Sequence, residues 1–367
     1  MITGYATPEG TTDYGRQAQA VPEHFRLFQG CALASAGIGT YLGPEDPATD
    51  RLYRDAVMRA VELGVNLIDT AVNYRHQRSE RAVGEALAQL IASGRLRRNE
   101  VVVATKGGFI PFDGAMPANA GSYFAETYLR PGILRPEDVV AGCHSMTPRY
   151  LADQLERSRR NLDLETLDIY YLHNPETQLG EVERPEFLKR LSEAFAFLES
   201  AVQSGKIRHY GTATWHGYRQ PSSAPDYLSL PEVVGVARAV AGDHHHFRVI
   251  QLPYNLAMTE AFTRANQVVD AESVSTLEAA RRLGIYVVAS ASIYQGQLSR
   301  NLPSVLTEYL PGLTTDAQRA LQFVRSTPGI GSALVGMKQV FHVEENLRIA
   351  KFPPTPWSEF QRFFKEA

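Results

Sequence analysis

Cysteine is nearly absent from this chain: 367 residues carry two, Cys31 and Cys143. Two thiols cannot build a disulfide framework or a thiolate zinc site, and they fit a reducing compartment, so a cytoplasmic location is expected. Long hydrophobic runs are missing too, which removes any expectation of a membrane span. The first 23 residues are polar and rich in Gly and Thr, without the apolar stretch of a secretory signal. They are expected to form an extension ahead of the folded body. Charge of one sign is not in excess either. A formal net charge of −3 gives no reason to expect nucleic acid or an anionic membrane as a partner.

What the chain does have is an ordinary globular composition, 44% hydrophobic and 21% charged, and enough length to bury a large core. It also has a rhythm. Short apolar or β-branched runs at residues 33–38, 65–68, 101–105, 167–172, 209–212, 248–252, 285–289 and 332–335 predict strands. Segments with helical spacing lie between or beside them at 52–63, 79–91, 148–162, 185–203, 230–241, 275–283, 316–326 and 340–349. Strands alternating with helices imply parallel pairing through right-handed crossovers, and eight such units favour a closed (β/α)8 TIM barrel. The barrel is expected over residues 24–352, with a tail at 353–367. Residues 25–33 read as a β-hairpin turning at Gln29-Gly30, placed to plug the bottom of the barrel.

One unit breaks the rhythm. Residues 107–146, after the third strand, form a long stretch rich in Gly, Pro and rings: Phe109, Phe112, Tyr123, Phe124 and Tyr128. So many aromatics argue against disorder, and the segment reads as a substrate-side loop that brings a ring to the cavity and favours a bulky substrate. Residues 174–183 and 258–272 are smaller insertions. The run His244-His245-His246 is expected to be an exposed turn between helix and strand, not a metal site, and no metal is expected elsewhere.

In a barrel, chemistry gathers at the C-terminal ends of the strands. The expected strand ends hold Asp69, Lys106, His173, Thr214 and Gln251. A buried Lys beside an Asp keeps its charge, and that ammonium favours phenolate, which should bring a neighbouring tyrosine towards working pH. Tyr74, just beyond Asp69, is the candidate. It would donate a proton to a carbonyl oxygen that His173 orients.

These residues sit in motifs: GIGTY at 37–41, GVNLIDTAVNY at 64–74, VATKGG at 103–108, DIYYLHNP at 168–175, GKIRHYGTATW at 205–215, QLPYNL at 251–256 and ALVGMKQVFHVEENL at 333–347. Together they resemble the aldo-keto reductase superfamily over about residues 25–351. The resemblance implies a catalytic tetrad of Asp69, Tyr74, Lys106 and His173, with none of the four replaced. It implies a nicotinamide cofactor and a small-molecule carbonyl or alcohol substrate. Gly39, Thr40, Tyr41, Asp69, Thr214 and Gln251 would line the nicotinamide half. The family's Ser-Asn pair is Ala213-Thr214 here, and its stacking tyrosine is Ser290, so Trp215 is the candidate to cover the nicotinamide instead. Ser292, Gly296 and Gln297 would meet the pyrophosphate. Gly336, Lys338, Gln339 and His342 would surround the 2′-phosphate, with His342 where an Arg is common, and Glu345 and Asn346 would meet the adenine. Lys338 and Gln339 favour NADP(H) over NAD(H). The other readings are an NAD-dependent sugar or alcohol dehydrogenase and, in another class, a nucleotide-binding regulatory subunit of the same fold. A homo-oligomer is left open.

Overall fold

In the computed structural model, which describes residues 1–364, eight parallel strands close into a barrel. Strands β1 (Phe25–Phe28) and β2 (Cys31–Ala34) form the hairpin ahead of it. The barrel strands are β3 (Ala36–Gly39), β4 (Leu67–Asp69), β5 (Val102–Gly107), β6 (Leu167–His173), β7 (Ile207–Ala213) and β8 (Phe247–Pro253). A second hairpin follows, β9 (Ala265–Val269) and β10 (Glu272–Ser275), and then β11 (Tyr286–Ser290) and β12 (Ser332–Gly336) complete the ring against β3. All eight expected barrel strands are present. The β9–β10 hairpin was expected only as an insertion.

Alternation along the strands divides the core in two. Leu67, Val102, Ala104, Ile169, Tyr171, Val249, Val288 and Leu334 face inward and pack with Phe28, Cys31 and Leu33 of the hairpin. Ile68, Val103, Tyr170, Leu172, Ile250 and Val335 face outward into the larger core under the helices. The hairpin therefore seals the bottom, and its turn uses left-handed backbone at Gln29 (φ 48°) and Gly30 (φ 85°), as a two-residue loop requires.

The first 23 residues, expected as a polar extension, pack against that seal. Thr7 caps a helix over Pro8–Gln17. The buried Tyr14 hydroxyl lies 2.5 Å from the Val61 carbonyl and 2.9 Å from that of Val65. At the other terminus, Phe360 enters the main core beside Phe323, and residues 365–367 of the expected tail lie outside those described. The His244–His246 turn is also less exposed than its polarity suggests. His245 is buried against Arg248, and His246 Nδ1 lies 2.7 Å from Glu199. Among the described residues no helix is long and apolar enough to cross a membrane.

Candidate active site

The inward parity of the strands continues to their C-terminal ends, and there apolar side chains give way to polar ones. On β4 the step after Leu67 is Asp69. On β5 the series Val102, Ala104 reaches Lys106, and on β6 Ile169, Tyr171 reaches His173. Three neighbouring strands therefore deliver an acid, an amine and an imidazole to one mouth.

Lys106 is fully buried, with Nζ 2.5 Å from Asp69 Oδ1 and 2.8 Å from the Thr70 carbonyl. Gln251 Nε2 donates to the other Asp69 oxygen at 2.7 Å. Burial works against charge on Lys106, but Asp69 and Tyr74 outweigh it and hold the ammonium above its ordinary pKa. The Tyr74 ring stands 4.8 Å from Lys106 Nζ, between Tyr41 and His173. Its hydroxyl does not move towards working pH as expected. Burial raises its pKa, and Lys106 only opposes that rise. His173 is pushed well below the usual imidazole range by burial, then by Lys106 and His144, so it is neutral. Its Nδ1 is buried and has no partner among the described residues.

Tyr74 and His173 open on a cavity of about 820 Å³ that runs past Phe109 to Glu345 and Asn346, with Lys106 buried against the Tyr74 ring. Gly39, Thr40, Tyr41, Asp69, Thr214, Gln251, Ser290, Ser292, Gly296, Gly336 and His342 also line it. Three expected contacts do not. Gln297 is exposed because the chain turns through left-handed backbone at Gln295 (φ 54°) and Gly296 (φ 90°), which puts Gln295 and Ser299 on the wall instead. Gln339 is exposed at the start of a seven-residue helix, Val340–Asn346. Lys338 lies over Gly43, its Nζ 3.7 Å from where a β-carbon there would sit.

The sequence reading also missed wall residues. Phe341 lines the cavity although it is 65% exposed, and Asn73, Asn174 and Ala317 join it. An apolar residue left open at a helix start was the one signal available for Phe341. Trp215, half exposed on the wall, is held by its backbone, since Glu176 Oε1 accepts from the N–H groups of Trp215 at 2.7 Å and His216 at 3.1 Å.

The segment over 107–146 brings a ring to the cavity, as expected, but one alone. Of its five rings only Phe109 reaches the cavity, 5.1 Å from the His173 ring. Tyr128 instead forms a small core of its own with Leu134 and Tyr150, with Tyr123 and Phe124 packed on it, while Phe112 lies against Tyr123 and His76. Ring count does not encode direction. The rings are used in packing one another, and the argument for a bulky substrate goes with them.

Comparison with known proteins agrees with this geometry. The aldo/keto reductase family model matches residues 36–235. An oxidoreductase of Bacillus subtilis, YqkF, is 21% identical over 294 residues, 79% of each chain. The NADH-specific methylglyoxal reductase of Escherichia coli is 28% identical over 186 residues, 49% of this chain and 48% of that one. Among solved structures, an aldo/keto reductase from Klebsiella pneumoniae in complex with NADP and acetate superposes with a TM-score of 0.62 at 20% identity, covering 94% of this chain and 96% of that one. The glycerol dehydrogenase of Gluconobacter oxydans gives 0.63 at 20% identity, covering 94% and 95%.

Proposed function

The chain belongs to the aldo/keto reductase family, an NAD(P)H-dependent oxidoreductase of carbonyl and alcohol groups, and within that family we propose that it reduces small carbonyl compounds with NADP(H), Tyr74 giving the proton. The observation that carries the reading is the Tyr74 ring set between a buried, charge-paired Lys106 and a neutral His173 on one cavity wall.

A dinucleotide fits the residues present. The cavity is within the usual range for ligand sites. At its far end, Asn346 presents a buried Oδ1 with no partner among the described residues, an acceptor matched to the amino group of a purine. When bound, the nicotinamide supplies the hydride. The protein's part is proton control. Burial keeps the Tyr74 phenol protonated, so it is ready to give its proton to the carbonyl oxygen as charge grows there. Lys106 then stabilises the phenolate left behind. Neutral His173 offers an N–H to the same oxygen without competing for the proton. Asp69, fixed by Lys106 and Gln251, keeps the buried ammonium charged.

Preference for NADP(H) rests on His342 in the cavity wall and on Lys338, which makes no ion pair among the described residues. Trp215 is the ring available to cover the nicotinamide where Ser290 offers none. The test is oxidation of NADPH and of NADH with a panel of small aldehydes and ketones, alongside binding titrations of both dinucleotides. Faster turnover and tighter binding with NADPH support the reading. Binding without turnover of any carbonyl supports a regulatory nucleotide-binding role instead, and equal or better use of NADH supports the NAD-linked dehydrogenase.

A further inference from the structure

We propose that His144 is a positioning residue for His173, and that residues 107–146 reach the chemistry through this imidazole and not as a cover. The inference rests on the reading of His173 as the residue that orients the carbonyl.

The proton on His144 can be assigned from its neighbours. The Arg190 guanidinium has only donors, and its Nη1 lies 2.7 Å from Gln178 Oε1, so that oxygen is the acceptor. The other end of the amide, Gln178 Nε2, is then a donor, and it lies 2.9 Å from His144 Nδ1. Nδ1 must accept, which leaves the proton on Nε2. That N–H points at the His173 carbonyl, 2.8 Å away. A chain of three hydrogen bonds thus runs from a guanidinium to the backbone of His173, each with its direction fixed by the one before.

Packing ties the same imidazole to the cavity wall. His144 is buried, with its ring edge-on to Phe109 at 5.2 Å, and Phe109 stands edge-on to His173 at 5.1 Å. Gly108 runs beneath at φ 150°, and a β-carbon there would lie 2.8 Å from both His144 Nε2 and the His173 carbonyl oxygen. The backbone of β6 ends at His173, whose own Nδ1 has no partner among the described residues. Its ring is therefore held not through Nδ1 but through its main chain and the faces of Tyr74 and Phe109, and His144 touches two of these supports, the His173 carbonyl and Phe109. Burial keeps His144 neutral, with a pKa pushed down to about 4, so this arrangement holds across the neutral range.

Two substitutions separate a positioning role from a merely structural one. His144→Phe keeps a ring against Phe109 but loses donor and acceptor, while His144→Gln restores an amide N–H. A displaced catalytic group costs roughly 10- to 100-fold in turnover, so His144→Phe should lower kcat by that range, leave the dinucleotide Kd unchanged and raise the primary deuterium isotope effect with 4-deuterated cofactor. His144→Gln should recover most of kcat. Nitrogen-15 imidazole NMR of the wild type should show His144 as the Nε2–H tautomer, and the His173 resonances should move in His144→Phe. The NMR arm needs no turnover, so an enzyme inactive on every carbonyl would defeat the reading of function without touching the proposal. A folded His144→Phe protein with wild-type kcat and unshifted His173 resonances overturns it, as does activity that falls only in step with the folded fraction.

Discussion

Both ends of the barrel bury a cation completely, and they do it in opposite ways. At the mouth Lys106 is paired with a carboxylate, and Asp69 holds it above its ordinary pKa. At the bottom Arg325 pairs with no carboxylate among the described residues. Its guanidinium meets the Ile349 carbonyl at 2.5 Å, the Phe352 carbonyl at 3.1 Å and Ser35 Oγ at 3.0 Å, with Arg26 bonded to its backbone. Burial first, and then Arg26, push Arg325 down to about 9. A full charge pair has a field that a reacting oxygen can use. A cation ringed by oxygens does something else: it bolts the C-terminal segment to Ser35, in the link between the hairpin and β3, and gives buried backbone carbonyls a donor. One end of the barrel is arranged for chemistry, and the other for holding the chain together.

The comparison can be broken at either end, and the largest effect is expected at the mouth. Tyr74→Phe should lower kcat by about 10²- to 10⁴-fold, the usual worth of a positioned proton donor, while dinucleotide affinity measured by fluorescence titration stays near wild type. A variant with substantial turnover would mean that the mouth's charge pair serves some other group. At the bottom, Arg325→Met should cost about 1–3 kcal/mol of stability, because carbonyl oxygens are left unsatisfied, with kcat per folded molecule unchanged. Urea unfolding and an active-site titration read the two quantities separately. A loss of kcat would show that the ends are coupled.

A smaller effect concerns pH. His24 sits in the same bottom cluster, with Nε2 3.2 Å from the Gly64 carbonyl, and burial followed by Arg325 and Arg26 lowers its pKa to about 3. The unfolded chain binds that proton near pH 6.5, but the folded one binds it only near 3. The stabilising contribution is therefore complete above about pH 6.5 and is lost as pH falls through that window. Melting temperature against pH should fall on the acid side in wild type, and less steeply in His24→Gln; parallel curves would remove His24 as a cause. The smallest effect belongs to the rim. Lys338→Ala should weaken NADP(H) by roughly 5- to 10-fold, about the worth of one exposed charge-assisted contact, and leave NAD(H) unchanged, as isothermal titration with both would show.

The barrel was legible because two periods are written into the chain, and because polar residues ending apolar runs mark strand ends that face a mouth. Asp69, Lys106 and His173 were found that way, and Tyr74 by its distance from Asp69. What could not be read depends on direction within irregular backbone. Gln297 turned outward on the two left-handed residues before it. The rings of 107–146 looked like a lining and are mostly a core. The helix over Pro8–Gln17 hid in a segment whose polarity suggested a loose end, because its contribution to the core is a single tyrosine.

The chain enters and leaves the 107–146 segment through a narrow neck. Ile110 N–H donates to the Cys143 carbonyl at 2.8 Å and Ser145 N–H to that of Gly108 at 3.0 Å, while Phe109 and His144 pair antiparallel. With its ends side by side and a small core shared with Tyr150 outside it, the segment is a cassette. Residues could be added, trimmed or exchanged beyond the neck, or new chain termini opened there, without altering the register of any barrel strand. A family of barrels could therefore diversify at this point while the parity that aims Lys106 and His173 stays fixed. An insertion of one residue inside β5 or β6 has no such freedom, since it would turn the amine or the imidazole out of the barrel.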